Sequence, residues 1–407
     1  VFQNKMKILH IVYSDLIGGA SKAAYLIHKT LLENDIESKM LVYKKISDDG
    51  SVYESRHSLI LDLFFKLEPF FFKNRNNIKS EFSTNLFSKL KIDWGLIDWA
   101  DIINIHWIGN STLSYKKIES FMKPIVWRLP DQFPFTGGCH FSGECTNYEV
   151  GCGNCYLLEN KINDLSRKLF LRKQKHLSKI KSLTIVSPSS WMDRKVKKSL
   201  LFADRESFVI NTGIDTSLFS PIGQKSIYPI KNINLLFIAS NPVNDPRKGF
   251  KYVRELINEK LSEDEKKRFN LVLIGEEEIE NSLDLNIRIK RTGKIEDRAV
   301  LREYYSNADI MIAPYVEDNL PNTILEAMAC ETVVLAFDVG GINEIIDHKI
   351  DGFLSSQLNS EHLYSGLNYI IKSDLELLKK NARNKIVNKF NCKKNYKKFF
   401  KLYRDII

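Results

Sequence analysis

The sequence predicts an α/β protein made of two doubly wound domains that face each other across a cleft. Short apolar runs alternate with segments of helical periodicity along nearly the whole chain, which is typical of parallel sheets covered by helices on both faces. The length of 407 residues also exceeds what one ordinary core holds. Two domains are therefore expected.

Strands are predicted where apolar, β-branched runs are bounded by turn residues. In the first half of the chain these runs are MKILHIV, SKMLVY, DIINIHW, PIVWRL and LTIVSP, and in the second half INLLFIAS, NLVLIGE, ADIMIAP and TVVLAF. Ligands of doubly wound sheets bind beyond the carboxyl ends of the strands. The functional site is expected there.

The domain boundaries follow from a segment rich in turn formers, NTGIDTSLFSPIGQKSIYPIKN, at residues 211–232. This segment is predicted to link an N-terminal domain, residues 1–210, to a C-terminal domain, residues 233–385. The last segment, residues 386–407, has apolar residues at helical spacing and a basic opposite face. It predicts a helix that could pack back on the first domain.

Composition and charge narrow the class of protein. Hydrophobic residues make up 43% and charged residues 27% of the chain, as in soluble globular proteins. The formal net charge of +10 suits phosphorylated small molecules or an anionic membrane surface, but the dispersed lysines lack interleaved aromatic residues, which argues against nucleic acid. No run of membrane-spanning length or leader pattern is recognised, so a cytoplasmic location is expected, with peripheral contact at the inner face of the membrane.

One apolar segment bears on the membrane question. Residues 57–77, HSLILDLFFKLEPFFFKNRNN, are rich in Leu and Phe and end in basic residues. A helix lying in the membrane interface would suit a lipid-linked acceptor. A buried helix, or the lining of an acceptor cleft, is the alternative interpretation.

The residues that carry chemistry begin with EDNLPNTILEAMACE, residues 317–331. Pro321 suits the first position of a helix because it has no N–H group, with Leu320 as the preceding cap. The free N–H groups of the first turn and the helix dipole would form an anion site that fits a diphosphate. Glu326, just over one turn into the helix, could accept both hydrogen bonds of a ribose diol, and Asp318 could reach the hydroxyls of a sugar beyond the phosphates.

Two other loops follow predicted strands and carry residues suited to phosphates. Arg247 and Lys248, in NPVNDPRKGF, would neutralise a leaving diphosphate, and Gly18 and Gly19, in DLIGGASKAA, permit close backbone approach where the first helix begins. Each feature has a plainer interpretation as well, namely a solvated pair of cations, a tight turn, or carboxylates favoured at any helix start. The second strand ends in Tyr-Lys-Lys rather than in an acidic residue, which disfavours an NAD-dependent dehydrogenase.

Four cysteines fall in one loop, residues 136–156, with the spacing C-x5-C-x6-C-x2-C. One C-x2-C pair is typical of structural zinc sites, whereas the other two spacings are irregular for such a site. A structural zinc ion and free buried thiols both remain open, and no catalytic role is expected. The candidate ligands are Cys139, Cys145, Cys152 and Cys155.

Several motifs together resemble the retaining family 4 glycosyltransferases, which have the GT-B architecture of two Rossmann-like domains. The stretch EDNLPNTILEAMAC, followed by VVLAFDVGGINEII, is similar to the E-x7-E region of that family, and the likeness extends to GGASKAA, IHWIGN, VSPSSWM, INTGIDTSLFSP, RKGF and TGKIED. The branch that synthesises colanic acid and O-antigen looks closest, because there a TGGCH segment with further cysteines follows the fourth strand.

The resemblance implies a role for each matching position. Glu326 would hold the ribose hydroxyls, Asp318 would contact the donor sugar, and Lys248 with Arg247 would bind the diphosphate. Pro130 stands where relatives usually carry a histidine that contacts the donor sugar, so either another polar side chain supplies a sugar or acceptor contact or the reaction does not need one. The candidates for that contact are His106, Asp131 and His140, and the remaining donor contacts would be Gly18, Gly19, Glu317, Asn319, Leu320, Asn322, Thr323, Gly340 and Gly341.

The implied activity is transfer of a sugar, with retention of configuration, from a UDP-, GDP- or dTDP-sugar to a glycan or lipid-linked acceptor. The product would be a surface polysaccharide such as an O-antigen, a capsule or an exopolysaccharide. No D-x-D motif follows a strand, and the acidic cluster at residues 263–265 is interpreted as a solvated turn, so no cofactor is required for catalysis. Two other hypotheses remain, an inactive GT-B protein that binds nucleotide sugar or glycan, and a sugar-nucleotide epimerase.

Overall fold

The computed structural model of the chain describes residues 5–55, 82–158, 161–223, 232–240, 245–275 and 285–407. Contacts divide the chain into two compact units. Unit 1 is Val1–Thr212 with Asn395–Ile407, and unit 2 is Gly213–Lys394. The apolar segment at residues 57–77 lies outside the described residues. In the part that is described, no helix combines the length and apolar character needed to cross a bilayer.

Unit 1 is built on a parallel sheet whose central strands are buried on both faces. The strands are β1 Lys7–Ser14, β2 Glu37–Lys44, β3 Val52–Glu54, β4 Ile102–Ile105, β5 Ile125–Arg128, β6 Leu183–Ser187 and β7 Ser207–Val209. The order across the described sheet is β3-β2-β1-β4-β5-β6-β7. The chain therefore reverses its direction of travel between β1 and β4, and loops leaving these neighbours diverge to opposite faces.

The helices of unit 1 cover this sheet. They are α1 Gly18–Leu32, α2 Trp94–Trp99, α3 Tyr115–Glu119, α4 Leu165–Leu177 and α5 Ser190–Lys198. Three of them begin at an Asp or Ser side chain that accepts a hydrogen bond from the first turn, at Asp93, Asp164 and Ser189. Such caps satisfy backbone donors that the helix itself leaves unpaired.

Unit 2 has a second parallel sheet of the same type. Its strands are β8 Ile233–Ile238, β9 Phe269–Ile274, β10 Arg288–Arg291, β11 Ile310–Ala313, β12 Val333–Phe337 and β13 Gly352–Ser355. In the described residues they lie in the order β10-β9-β8-β11-β12-β13, so β8 and β11 are the neighbours between which the order reverses. Its helices are α6 Phe250–Glu255, α7 Glu263–Lys266, α8 Arg298–Asn307, α9 Asn322–Ala329, α10 Ile342–Ile345, α11 Ser360–Lys372 and α12 Leu375–Lys389.

Burial on both faces explains the unbroken apolar runs of the central strands. Along β8, Leu236 and Ile238 pack into one hydrophobic cluster while Leu235 and Phe237 pack into another. Successive side chains of a strand point to opposite faces, so both sets of alternate positions must be apolar. Each strand predicted from the sequence is present. Four short strands that were not predicted, β3, β7, β10 and β13, form the edges of the two described sheets.

The last helix, α13 Cys392–Ile406, packs with unit 1. Phe399, Leu402 and Tyr403 join a cluster that contains Ile8 of β1, and the Tyr403 hydroxyl accepts a hydrogen bond from the Asn104 side chain. The basic residues of this helix remain on its exposed side. The chain thus returns to unit 1 after completing unit 2.

Residues 211–223, the described first part of the predicted linker, have more structure than their turn-rich composition predicted. Ile214 and Phe219 are buried in the core of unit 2. Arg383 of α12 donates hydrogen bonds to the carbonyl oxygens of Thr216 and Phe219. Residues 213–223 therefore belong to unit 2, because tertiary hydrogen bonds and two buried side chains replace the regular periodicity that the segment lacks.

Candidate functional site

The loops that follow β8 and β11 meet where the strand order of unit 2 reverses. Lys248 ends a short 3-10 helix, Pro246–Lys248, after β8, and Asp318 lies in the loop after β11. The Lys248 Nζ atom donates a hydrogen bond of 2.8 Å to the Asp318 Oδ2 atom. Two residues that the sequence separates widely are therefore brought together at the edge where ligands of doubly wound sheets bind.

Two glycines allow the loops of this site to interlock. At Gly249, with φ +68°, an added Cβ would lie 1.8 Å from the Pro314 carbonyl oxygen. At Gly340, with φ +62°, an added Cβ would lie 1.8 Å from the Asp318 carbonyl oxygen. The same Asp318 oxygen accepts a hydrogen bond of 3.2 Å from the Gly341 N–H group. Glycine is required at both positions because the approach is closer than any side chain permits.

We expect Gly340→Ala to destabilise unit 2 by about 1–3 kcal/mol, because a residue with a Cβ is strained at this φ and would push the Asp318 loop away. Donor affinity should fall with it. Thermal unfolding and calorimetric binding of a nucleoside diphosphate measure the two effects. Gly223→Ala is the matched control, since nothing lies within 4 Å of its added Cβ. Equal stability and affinity in both variants would contradict the role given to Gly340.

The surroundings of Lys248 keep its side chain charged. Burial opposes the charge, but the Asp318 carboxylate and Tyr315 outweigh it and raise the pKa of Lys248. The Nζ atom also lies 4.2 Å from the centre of the Tyr315 ring. Tyr315 is itself fixed, with its hydroxyl 2.9 Å from the Thr323 Oγ1 atom. The ammonium group is therefore held in place from two sides.

Arg247 is oriented differently from its neighbour. Its Nε and Nη2 atoms donate to the two carboxylate oxygens of Asp245 at 3.1 and 2.8 Å. Its carbonyl oxygen accepts a hydrogen bond of 2.8 Å from the Val316 N–H group, which ties the loop after β8 to the loop after β11. Arg247 thus stands beside Lys248 with its guanidinium group already paired to a carboxylate.

The helix that carries Glu326 begins one residue later than predicted. Pro321 is the N-cap and α9 starts at Asn322, whereas the sequence placed Pro321 at the first helical position and Leu320 at the cap. Proline at the N-cap has extended backbone, with ψ 119°, so the helical turn starts after it. No acidic side chain lies in the first turn. The positive end of the helix dipole is therefore not neutralised by the helix's own carboxylates.

Glu326 lies on the buried side of α9. Its Oε2 atom accepts a hydrogen bond of 3.0 Å from the hydroxyl of Tyr305 in α8. Burial and the neighbouring Glu326 raise the pKa of Tyr305, so the phenol stays protonated and can donate. This contact fixes the rotamer of Glu326. The Tyr305 hydroxyl thus holds one oxygen of the Glu326 carboxylate.

The other predicted donor contacts of unit 2 surround the same loops. Asn319 is buried, and Leu320 packs against the hydrophobic core, so Leu320 presents its backbone and not its side chain to the loop. Thr323 contacts Tyr315. The remaining members of the set, Glu317, Asn322, Gly340 and Gly341, lie in the loop after β11, at the start of α9 and in the turn after β12.

Gly18 and Gly19 open α1 of unit 1. Gly18 has φ +79°, and Ile17, the N-cap, offers no side-chain hydrogen bond to the first turn. The loop before them is held by Asp15, whose carboxylate accepts hydrogen bonds from the N–H groups of Leu16, Ile46 and Ser47. The side chain of the N-cap residue therefore does not cap the start of α1.

The three candidates for the contact missing at Pro130 are all buried. His106 stacks on His10, with 2.9 Å between the ring nitrogens, and burial lowers its pKa well below the usual value. His140 donates from Nδ1 to the Asp131 Oδ2 atom over 2.6 Å. That oxygen also accepts a bond of 2.7 Å from the Nε1 atom of Trp107. Asp131 and His140 thus position Trp107, which is half-buried beyond the end of β4.

The acidic cluster at residues 263–265, interpreted from the sequence as a solvated turn, is instead part of a short capped helix. Residues 263–266 form α7, where Ser262 and Glu265 make a capping box and Lys266 pairs with Glu263. Among all the residues that the structure describes, no three His, Cys, Asp or Glu side chains are arranged to hold a metal ion.

Sequence reasoning missed three aromatic residues of these sites. Tyr305 orients Glu326, Tyr315 supports Lys248, and Trp107 rests on Asp131. Tyr305 and Tyr315 lie within or next to the predicted apolar segments, where an aromatic residue is expected to be part of the hydrophobic core. Trp107 belongs to the IHWIGN motif, and its position at the end of a predicted strand was the one sequence signal that could have indicated a functional role.

Comparisons with known proteins place these features in context. A family model described as "Glycosyl transferases group 1" matches residues 232–373. The UDP-Gal:alpha-D-GlcNAc-diphosphoundecaprenol alpha-1,3-galactosyltransferase of Escherichia coli is 26% identical over 214 residues, which is 49% of this chain and 54% of that enzyme. The alignment thus spans about half the length of this curated relative.

Solved structures match over nearly the whole chain. Sucrose-phosphate synthase from Thermosynechococcus elongatus superposes with a TM-score of 0.70 at 16% identity, covering 99% of each chain. Anabaena HepE in complex with UDP-glucose gives a TM-score of 0.65 at 15% identity, covering 98% of this chain and 100% of that one. The predicted fold class, two doubly wound parallel sheets with helices on both faces, is confirmed.

Proposed function

We propose that this chain transfers a sugar from a nucleoside diphosphate donor to an acceptor hydroxyl. Two findings support this: residues 232–373 match the model of the glycosyl transferases group 1 family, and the chain has the GT-B fold. The observation that carries the proposal is the pairing of Lys248 with Asp318 beside the start of the helix that bears Glu326. A cation, a helix N-terminus and a carboxylate at one sheet edge suit a diphosphate, its leaving charge and a ribose.

The donor diphosphate would bind between Lys248 and the first turn of α9. Lys248 forms an ion pair with Asp318. A diphosphate would share that cation, and Asp318 would turn to the hydroxyls of the transferred sugar. Arg247 would need to loosen its bond with Asp245 to add a second positive charge. Glu326 would accept from the ribose diol while Tyr305 holds its other oxygen.

The reaction breaks the bond between the anomeric carbon of the donor sugar and the diphosphate oxygen. The same carbon forms a new bond to the acceptor oxygen, and the acceptor proton passes to the leaving diphosphate. Attack on the face that the diphosphate leaves would retain the configuration, which the family resemblance implies. Lys248 and the dipole of α9 would stabilise the charge that develops on the leaving oxygens, so catalysis would be independent of a metal ion.

The acceptor is proposed to be a glycan on a polyprenyl diphosphate. The Escherichia coli relative carries such an acceptor, diphosphoundecaprenol, in its name. The net charge of +10 would favour contact with anionic lipid surfaces where acceptors of this kind lie. The protein would then act at the inner face of the cytoplasmic membrane, in the synthesis of an O-antigen, a capsule or an exopolysaccharide.

A donor panel tests the proposal. The protein is incubated with UDP-, GDP- and dTDP-sugars and a short-chain lipid diphosphate glycan, with and without a chelator. We expect release of one nucleoside diphosphate, matched by a glycosylated product whose anomeric configuration, read by NMR, equals that of the donor. Equal rates with the chelator would support catalysis without a metal.

Two outcomes would favour the alternative hypotheses. Binding of nucleotide sugars without turnover across a wide range of acceptors would favour an inactive binding protein. Conversion of the donor into an isomer, without transfer, would favour an epimerase. Inversion of the anomeric centre would leave the transferase proposal in place but remove the retaining mechanism.

A further inference from the structure

The loop at residues 136–156 in unit 1 encloses a cavity that the proposed transfer reaction does not use. Its walls include all four cysteines of the loop, together with Phe82 and Tyr148. The volume of the cavity that is open to the centre of a water molecule is about 20 Å³. A space of this size holds about one water-sized body.

The four thiols converge on this cavity although the chain separates them by up to sixteen positions. Every pair among Cys139, Cys145, Cys152 and Cys155 is close enough to interact electrostatically. All four are free thiols. Gathering four cysteines in one place exceeds what packing requires, because small apolar residues would fill the same space without their reactivity.

Backbone donors point at two of the sulfur atoms. The Gly137 N–H group donates to the Cys152 Sγ atom over 3.1 Å. The Leu157 N–H group donates to the Cys155 sulfur. Burial raises the pKa of both thiols, and these hydrogen bonds partly oppose that rise. They also orient the sulfur atoms, as outer contacts do around bound metals.

The C-x2-C turn is held in a costly conformation. Cys152, Gly153 and Asn154 have φ values of +57°, +101° and +48° in succession. The turn is anchored to the start of α4, where Asp164 accepts from the Cys155 N–H group at 2.7 Å and Ser166 accepts from the Gly153 N–H group at 3.0 Å. Residues other than glycine rarely adopt positive φ, so such a run signals a function for the turn.

A buried lysine lies near the same thiols. The Lys173 side chain is 1% exposed, and its Nζ atom donates to the Phe133 carbonyl oxygen and lies 3.7 Å from the centre of the Phe133 ring. Burial lowers the pKa of Lys173 to about 7, and negative charge on Cys152, Cys139 or Asp131 favours its charged form. Four thiolates around a divalent ion would carry a net charge of about −2 and would favour that form as well.

We propose that Cys139, Cys145, Cys152 and Cys155 bind one zinc ion that fixes this loop to unit 1. Zinc prefers four thiolate ligands in a tetrahedral arrangement, at about 2.3 Å from each sulfur. In the described residues no three such side chains stand in a metal-binding arrangement, so the loop would have to contract around the ion. The role is structural, because no ligand position is left open for a substrate.

Metal content of the purified full chain tests the proposal. We expect about one zinc per chain by elemental analysis, and cobalt-loaded protein with the visible absorption of a tetrahedral thiolate site. The double substitution C152S and C155S should lose most of the metal. Cys392→Ala, which removes a buried thiol outside the loop, should retain all of it. Retention of zinc by the double variant would overturn the assignment.

A second measurement does not depend on the variant being folded. Titration of the native chain with an organomercurial should release zinc in proportion to blocked thiols, four for each ion. Wild-type protein that neither contains zinc nor takes it up from added zinc chloride would refute the proposal. Two disulfides within the loop, found by mass spectrometry of protein kept under reducing conditions, would refute it as well. None of these readouts depends on the transfer reaction.

Discussion

Replacing Lys248 with alanine is expected to lower kcat/KM for sugar transfer by about 100- to 1000-fold, or about 3–4 kcal/mol of transition-state stabilisation. The Lys248 ammonium is charged, half-buried and fixed 2.8 Å from Asp318. Negative charge on the leaving diphosphate grows as the glycosidic bond breaks, so kcat should fall more than donor affinity. Initial rates over a range of donor concentrations separate the two.

Lys251→Ala is the matched control for this prediction. Lys251 lies in the next helix, α6, is exposed, and its Nζ atom lies over the Tyr252 ring instead of at the site. The Lys251→Ala substitution removes the same charge a few residues away from Lys248 and should change the rate of sugar transfer by no more than about twofold. If both variants lose the same modest activity, the effect would be one of overall charge and not of a cation at the diphosphate. Thermal unfolding of both variants checks that each one is folded.

Replacing Glu326 with alanine is expected to weaken the binding of a nucleoside diphosphate by about 10- to 100-fold, since charged hydrogen bonds contribute about 1.5–3 kcal/mol. Glu326 is nearly buried, and Tyr305 already fixes one of its oxygens, so little rotamer entropy is lost when the ribose binds. Calorimetry with UDP, GDP and dTDP identifies the nucleotide and measures the change.

A 2′,3′-dideoxy nucleotide makes this second prediction specific. If Glu326 accepts from the ribose diol, wild-type protein should bind the dideoxy nucleotide about as weakly as Glu326→Ala binds the normal one. The variant should then lose little more with the analogue, as expected when two changes remove the same contact. Losses that add in full would show that Glu326 does not contact the diol. Glu303→Gln, an exposed change on the helix that bears Tyr305, is the control.

A substitution of Tyr305 can distinguish a residue that positions Glu326 from one that binds the nucleotide directly. Tyr305→Phe keeps the ring in the core but removes the hydroxyl that donates to Glu326. The expected loss of nucleotide affinity is a few-fold, smaller than that of Glu326→Ala, because the carboxylate remains but is free to turn. A loss as large as that of Glu326→Ala would contradict a positioning role for Tyr305.

Local sequence patterns were sufficient for the central strands and insufficient for the edges. A central strand such as β8 is buried on both faces, so its sequence must be a continuous apolar run, which is recognisable from the sequence alone. The edge strand β10 reads RIKR and is largely exposed. Ile289 is its one apolar side chain and packs against the core, but a single apolar residue gives no alternating pattern that would reveal the pairing with β9.

The same distinction applies to the residues 213–223. Their composition of turn formers predicted a linker, and periodicity gave no contrary signal. The hydrogen bonds from Arg383 and the burial of Phe219 decide the matter, and both come from parts of the chain far away in sequence. Short buried segments without regular structure cannot be found by periodicity, because a single anchored side chain sets no repeat.

By itself the sequence determined the fold class, the central strands and the residue types suited to a diphosphate and a ribose, because burial and local motifs constrain the chain within a few residues. Only the tertiary structure decided that Lys248 and Asp318, 70 residues apart, form a pair, that Tyr305 holds Glu326, and that four cysteines share one cavity. Such contacts depend on which strands become neighbours and how closely loops approach at glycines. That information belongs to the packing of the whole sheet and not to any stretch of the chain.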